Sequence, residues 1–262
     1  MGVDWYGAYD VRSGVEARRV LGDTGRIFAW ATSTDDEVDE ALRARIDLGV
    51  GSAEYLARIT ALAARRGVRA RIHLKIDTGL HRNGLLPAEW ERTIAEVRAG
   101  EAAGHLELVG IWSHLAEASD DEDDEAQTLF LDAVRVAEQS GATPEALHLT
   151  ASAASWWRPE LRGSVSRIGA FCYGVRSADG PDLAGVAPVA ELTATVVDIV
   201  DGDAVVGIGA FDGIPSTLAG ARVGTLAGAR ELLRIDAVTS VVEGWPGTVS
   251  YTHLTLPTNR EV

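Results

Sequence analysis

Ionisable and hydroxyl side chains are concentrated in one short stretch, residues 75–84, which reads Lys-Ile-Asp-Thr-Gly-Leu-His-Arg-Asn-Gly. It supplies an amine, a carboxylate, a hydroxyl, an imidazole and a guanidinium, groups that can hold an anion or move a proton. The preceding residues, 68–74, alternate apolar and polar side chains, which predicts a β-strand. A β/α barrel places such polar groups where its strands end. A plain strand followed by a solvated turn is the competing interpretation, but Lys75 is the only lysine in the chain.

Three later segments repeat this arrangement, with polar side chains at the end of a predicted strand. They carry His114, Ser152 and Arg167. A histidine at a strand end is at least as often a hydrogen-bonded structural residue, and Ser152 could cap a helix. A hydroxyl beside small residues also lets backbone amides approach an anion. From the residues alone, both the structural and the functional interpretation stay open.

Strand and helix patterns alternate along the first two thirds of the chain. Strands are predicted at 5–9, 25–31, 46–50, 69–75, 106–113, 147–150 and 165–171. Helices are predicted at 11–21, after a Ser33 cap, at 53–66 after a Ser52 cap, at 87–99 and at about 125–140. This alternation predicts the α/β class with parallel strands. We interpret it as a (β/α)8 TIM-type barrel lacking its first strand. A doubly wound sheet is the weaker alternative, because no glycine-rich phosphate turn follows an early strand.

The pattern changes after the predicted barrel, residues 1–184. Threonine- and valine-rich segments with glycine punctuation predict a partial C-terminal β domain over residues 185–248. Residues 249–262 resemble the translated reverse complement of a transposon adapter used in sequencing libraries. We therefore expect this tail to be artefactual and exclude it from the fold.

Composition limits the partners and the compartment. The formal net charge is −15 and the pI is near 4.8, which argues against nucleic-acid and anionic-membrane binding. One cysteine excludes an internal disulfide, and no apolar run is long enough to span a bilayer, so a cytoplasmic protein is predicted. The acidic run at 120–125 is expected to be a solvated loop that opens a helix. It is not expected to bind a metal, because its acids lack ligand spacing.

The motifs also carry a family resemblance. Residues 75–84 resemble the Lys-Val-Asp-Thr-Gly-Met-x-Arg-x-Gly signature of alanine racemases. The segments around His114, Ser152 and Arg167 are similar, in order, to the family's Thr/Ser-His-Phe-Ala, His-x-x-Asn-Ser-Ala-Ala and Val-Arg-Pro-Gly-Ile-x-x-Tyr-Gly. The resemblance implies a pyridoxal 5'-phosphate enzyme that interconverts L- and D-alanine, supplying D-alanine for the cell wall. It also implies a small amino-acid substrate and a head-to-tail homodimer.

Residue roles follow from the resemblance position by position. Lys75 is implied to be carbamylated and to position Arg82, so these two are the implied catalytic residues. Arg167 would meet the pyridine nitrogen, and Ser152 would bind the phosphate. The implied cofactor-binding set is Arg82, His114, Ser152, Arg167, Gly169 and Ala170.

Two parts of the family's machinery do not match. The lysine that attaches covalently to the cofactor belongs to a Lys-Ala-x-Ala-Tyr-Gly motif, which this sequence lacks. Ala210 stands where the family has a catalytic tyrosine. Three hypotheses follow: a fragment of an alanine racemase, inactive by itself; a divergent pyridoxal-phosphate barrel without racemase activity; or an unrelated phosphate-binding barrel or non-catalytic remnant.

Overall fold

The computed structural model describes residues 3–175, 183–187, 189, 195–200, 203–207, 222–223, 233–242 and 248–255. The chain divides into two compact units, Met1–Val189 and Ala190–Val262. The first unit contains every candidate site residue named above.

The first unit is built on six parallel strands, each hydrogen-bonded to the next along the chain. The strands are β1 Trp5–Ala8, β2 Arg26–Ala29, β3 Ile46–Val50, β4 Ala70–Lys75, β5 Leu106–Trp112 and β6 Ala146–His148. The helices between them are α1 Val11–Leu21, α2 Asp35–Ala44, α3 Ala53–Arg66, α4 Pro87–Ala102 and α5 Asp120–Gln139. Sequential parallel strands joined by helices form the wall of a half-barrel. The predicted α/β fold of the TIM-barrel type is confirmed.

The predicted seventh strand, residues 165–171, is wrong. Only two amides of this segment pair with the neighbouring β6 region: Val165 donates to Leu147 O and Arg167 donates to Thr150 O, both at 3.1 Å. The amide of Gly169 then turns to the side-chain oxygen of Ser152 at 3.0 Å. A short 3-10 helix, Ala170–Tyr173, follows. The pairing ends because a side chain captures the amide that would have continued it.

Two predicted helix starts are also corrected. Thr34, not Ser33, caps α2: it forms a capping box with Glu37, and Ser33 lies outside the helix. Ser119 caps α5, so the acidic run at 120–125 forms the first turns of the helix instead of a loop. The two causes differ. At α2 the capping box with Glu37 selects Thr34 as the cap, whereas at α5 the carboxylates stabilise the positive end of the helix and extend it toward its N-terminus.

Both faces of the sheet are covered, as a barrel wall requires. On the helix side, Gly14 of α1 makes room for β3: a Cβ there would lie 3.0 Å from the Ile46 side chain. On the opposite face the rings of Phe28, His73, Trp112 and His148 form an aromatic cluster with centroids 4.5–5.7 Å apart. Two site residues contact this cluster: Lys75 and Arg167 both lie over the Trp112 ring.

The capping of α3 provides a stability test. The Ser52 side chain accepts a hydrogen bond from the Tyr55 amide at 3.2 Å, which satisfies one of the free amides of the first turn. We expect Ser52→Ala to lower the free energy of unfolding by about 1 kcal/mol. Ser52→Asp, which keeps an acceptor at the same place, should retain the stability of the native chain. Urea denaturation of the three proteins checks this, and equal midpoints for all three would contradict it.

The second unit contains an antiparallel sheet in the order β7-β8-β11-β10-β9. Its strands are β7 Val196–Val200, β8 Asp203–Val206, β9 Arg222–Val223, β10 Leu233–Val242 and β11 Thr248–Thr255. β11 lies almost wholly within residues 249–262, which were expected to lie outside the fold, and it pairs with β10 and β8. Ala210 lies outside the described residues. None of the helices in the described part of the chain combines the length and apolar character needed to cross a bilayer. Within the same residues, no three histidine, cysteine or acidic side chains are grouped to hold a metal ion.

Candidate active site

The candidate residues meet at the carboxyl edge of the parallel sheet. Lys75 is the last residue of β4, His114 follows β5, and Ser152 begins the short helix α6, Ser152–Trp157, after β6. Parallel strands end at one edge, so groups far apart in sequence come together there. Trp112, which the sequence did not single out, lies between two of the cations: its ring centroid is 4.7 Å from Lys75 Nζ and 5.3 Å from Arg167 Cζ.

Lys75 is buried in a positively charged environment. Only 4% of the residue is exposed. Burial first, and then the cations of Arg82 and Arg167, lower the pKa of its amine against the opposing charge of Asp77, and the net pKa is about 8. An amine with this pKa carries a substantial neutral fraction near pH 8. The two neighbouring guanidiniums favour an anion at this position over a cation.

The loop that carries Arg82 is organised by one carboxylate. Asp77 Oδ1 accepts hydrogen bonds from the amides of Gly79 at 3.1 Å and His81 at 3.0 Å, and Oδ2 lies 3.0 Å from His81 Nδ1. Burial raises the pKa of Asp77, but these hydrogen bonds outweigh it and the net pKa is lowered. His81 adopts a left-handed φ of 53°. The loop therefore leaves Arg82 exposed to solvent beside Lys75.

Arg167 is held in place by acceptors on two segments, residues 113–114 and 148–149. Nη1 donates to His148 O at 2.8 Å and to His148 Nδ1 at 3.2 Å. Nη2 donates to the carbonyls of Ser113 at 2.7 Å and Leu149 at 3.0 Å, and to His114 Nδ1 at 3.0 Å. Among the described residues, Nε makes no hydrogen bond. Burial lowers the pKa of Arg167 to about 10, so it remains a cation at neutral pH.

His114 is held neutral and in one tautomer. Because a guanidinium can only donate, His114 Nδ1 must accept from Arg167 and its proton must lie on Nε2. Burial, followed by the charges of Arg167, Arg82 and Lys75, lowers the pKa of His114 to about 4. The ring can therefore stack or donate through Nε2 without bringing a charge into the site.

The pKa of His114 can be tested directly. We expect its ring resonances to stay fixed between pH 5 and 8 and to move only near pH 4. Because the unfolded histidine titrates near 6.5, the unfolded chain binds more protons between these values, so stability should fall as the pH drops from about 6.5 to 4. NMR titration measures this, with the urea-unfolded chain as control. A midpoint for His114 near 6.5 in the folded chain would contradict it.

Ser152, Gly169 and Ala170 lie together beside Arg167. Ser152 Oγ accepts from the Gly169 amide at 3.0 Å, and a Cβ on Gly169 would meet no atom within 4 Å. One nearby residue was missed from the sequence: Glu117 Oε1 accepts from the Ala154 amide at 3.2 Å and raises the pKa of Arg167 against the effect of burial. Its position after the histidine segment was the only available signal. The structure thus brings the predicted residues together around one open surface.

Fold and site together define a β/α-barrel protein with a cationic, polar site at the carboxyl edge of its strands. The family model described as alanine racemase, N-terminal domain, matches residues 1–177. The chain belongs to this family.

Known relatives agree with this assignment. An alanine racemase from Thermobifida fusca is 36% identical over 200 residues, covering 75% of this chain and 53% of that protein. One from Beutenbergia cavernae is 35% identical over 186 residues, covering 68% and 49%. The crystal structure of alanine racemase from a D-cycloserine-producing Streptomyces lavendulae is similar with a TM-score of 0.78 at 28% identity, covering 99% of this chain and 72% of that one. The chain spans about half the length of the curated relatives it matches.

Proposed function

We propose that this chain carries the cofactor-holding part of a pyridoxal 5'-phosphate-dependent alanine racemase, which interconverts L- and D-alanine. The observation that carries the proposal is the convergence of Lys75, His114 and Arg167 at one edge of the sheet. The family resemblance assigns a role to each of them, and the contacts of each residue suit that role. A divergent barrel that binds the cofactor without racemising is the second candidate, and Ala210 is the residue that favours it.

The residues present fit pyridoxal phosphate. When bound, this cofactor withdraws electrons from the α-carbon of an amino acid and acidifies its proton. Arg167 offers Nε to a ring nitrogen, and as a guanidinium it would leave that nitrogen unprotonated. Neutral His114 lies beside it, and Ser152 with the open backbone at Gly169 and Ala170 would hold the phosphate. Arg82 would meet the phenolic oxygen.

Binding measurements test this proposal. We expect the 262-residue chain to bind pyridoxal phosphate more tightly than pyridoxal by at least tenfold, because charge-assisted hydrogen bonds to the phosphate contribute about 1.5–3 kcal/mol each. Equilibrium dialysis of both compounds gives the ratio. Equal affinities, or no binding of either, would contradict the proposed phosphate site.

Carbamylation of Lys75 is part of the proposal. A neutral amine forms a bond from nitrogen to the carbon of carbon dioxide and releases one proton to water. The resulting carbamate anion would relieve the repulsion from Arg82 and Arg167. We expect a carbamate carbonyl signal when the chain is incubated with ¹³C-bicarbonate, and the signal should grow as the pH rises toward 8. Lys75→Arg keeps the cation but cannot be carbamylated, so its spectrum should lack the signal. A signal that survives in this variant would assign the carbamate elsewhere.

The remaining inferences concern the whole protein. We propose a cytoplasmic homodimer, and the exposed Trp156, half accessible to solvent, supports a contact surface beside the site. We also propose that the barrel of the natural protein includes a strand before β1 that bears the cofactor lysine, and that residues 249–262 are not encoded by its gene. Sequencing the source DNA on both sides of this reading frame tests both statements. Light scattering tests the dimer.

A further inference from the structure

Three buried side chains that have no part in the proposed function form a line beneath Arg167. They are Asp47 on β3, His73 on β4 and His148 at the end of β6, with exposures of 2%, 1% and 2%. Arg167 Nη1 lies 3.2 Å from His148 Nδ1, His148 Nε2 lies 2.9 Å from His73 Nδ1, and His73 Nε2 lies 3.5 Å from Asp47 Oδ2. We call these three residues the Asp47 line.

The contact between Arg167 and His148 determines which ring nitrogen of each histidine in the Asp47 line carries the proton. A guanidinium only donates, so His148 Nδ1 must accept from Arg167. Burial lowers the pKa of both histidines, and each is neutral with a single ring proton. The proton of His148 is therefore on Nε2 and is donated to His73 Nδ1. The proton of His73 must then lie on Nε2, which points toward Asp47.

The lower end of the line is held by two arginines. Asp47 Oδ1 accepts from Arg71 Nε at 2.7 Å, and Oδ2 accepts from Arg26 Nη2 at 3.3 Å. Burial raises the pKa of Asp47, but two guanidiniums in contact hold it as a carboxylate at neutral pH. These groups border a cavity of about 360 Å³ at the amino ends of the strands, opposite the candidate site. A carboxylate has no proton to donate, so it orients the line from below.

We propose that Asp47 and His73 are positioning residues for Arg167, acting by fixing the tautomer of His148. Within the described residues, His73 Nε2 has no hydrogen-bond partner at normal distance, so the carboxylate at 3.5 Å is the group that selects its protonated form. The proposal rests on the proposed function in one respect: Arg167 is the residue whose orientation serves the cofactor. The tautomers themselves are a property of the chain without any ligand.

Asp47→Asn is expected to move the ring protons of both His73 and His148 from Nε2 to Nδ1. Arg71 Nε is the nearest donor, at 2.7 Å from Oδ1, so it takes the amide oxygen. The amide nitrogen then replaces Oδ2, where it faces His73 Nε2 and leaves Arg26 Nη2 without that acceptor. That nitrogen donates, so His73 Nε2 must become the acceptor and its proton must move to Nδ1. His148 Nε2 then accepts, its proton moves to Nδ1, and two donors face each other at Arg167 Nη1.

The tautomers are read from ¹⁵N chemical shifts of the histidine rings in the full 262-residue chain, without cofactor. We expect His73 and His148 to carry their protons on Nε2 in the native chain and on Nδ1 in Asp47→Asn. Glu107→Gln is the matched control, because Glu107 pairs with Arg71 Nη1 at 2.9 Å in the same layer. It should leave both tautomers unchanged. A proton on Nδ1 of His148 in the native chain overturns the proposal, even if no variant folds.

Cofactor affinity provides the second readout. We expect Asp47→Asn to weaken pyridoxal phosphate binding by roughly tenfold, the loss of one hydrogen bond to a charged group, while Glu107→Gln binds as the native chain does. Reversed tautomers with unchanged affinity would show that the line does not position Arg167. If the native chain binds no cofactor, the proposed function fails, and the tautomer pattern in the native chain still decides whether the line is oriented by Asp47.

Discussion

Replacing Arg167 by alanine is expected to abolish measurable binding of pyridoxal phosphate and to lower the free energy of unfolding by about 3 kcal/mol. Five hydrogen bonds leave its two Nη atoms, three of them to backbone carbonyls of Ser113, His148 and Leu149. Alanine would leave the buried carbonyls of Ser113 and Leu149 without a donor, which costs about 1–3 kcal/mol for each group that water cannot reach. The carbonyl of His148 would keep the Ser113 amide as a donor at 3.1 Å. Cofactor titration and urea denaturation measure the two effects.

Arg162 offers a matched control for Arg167. It lies five positions earlier in the same segment, and within the described part of the chain its guanidinium bonds only the carbonyl of Ser155. Arg162→Ala should reduce stability by no more than about 1 kcal/mol and leave cofactor affinity unchanged. Arg167→Lys should fall between the alanine variant and the native chain, because an ammonium has three donors and no planar fork. If Arg167→Ala binds cofactor as tightly as the control, Arg167 does not serve the cofactor.

Local signals in the sequence were sufficient to predict most of the barrel wall. The structure has α3 and β3 at their predicted bounds, 53–66 and 46–50, because a serine cap and a short alternation of apolar residues depend only on neighbouring positions. The loop at 75–84 was likewise recognised from residue types in consecutive positions. Where competing signals met, prediction failed: Thr34 with Glu37 outcompeted Ser33 as the cap, and the acidic run joined α5 because its charges favour a helix start.

Contacts between distant residues could not be predicted in the same way. His73 and His148 are 75 positions apart. They lie on β4 and β6, on either side of β5, and their rings meet only because the three strands pair in one sheet. The acceptors of Arg167 are largely backbone carbonyls, which leave no mark on residue types. The segment 165–171 has the composition of a strand, yet the Ser152 side chain takes the amide of Gly169 and ends the pairing. Each of these features depends on three-dimensional proximity that one sequence does not encode locally.

The 262-residue chain is expected to racemise neither L- nor D-alanine, even with pyridoxal phosphate added. Racemisation needs proton-transfer groups on opposite faces of the α-carbon. The family resemblance assigns these roles to a cofactor-attached lysine and a tyrosine. Lys75 is the only lysine here. The resemblance puts it at the position that is carbamylated in the family, and puts Ala210 at the position of the tyrosine. Exchange of the alanine α-proton in D2O, followed by NMR, measures the rate against pyridoxal phosphate alone.

A longer reading frame that supplies an upstream lysine would separate a racemase fragment from a divergent cofactor-binding barrel. If Ala210 has cost the protein its second proton-transfer group, the longer protein should be inactive and Ala210→Tyr should raise racemisation by about 100-fold or more. If another residue has taken that role, the longer protein should racemise alanine without the substitution. Racemisation by the 262-residue chain itself would contradict both expectations, because it would require proton transfer from groups that the resemblance does not assign.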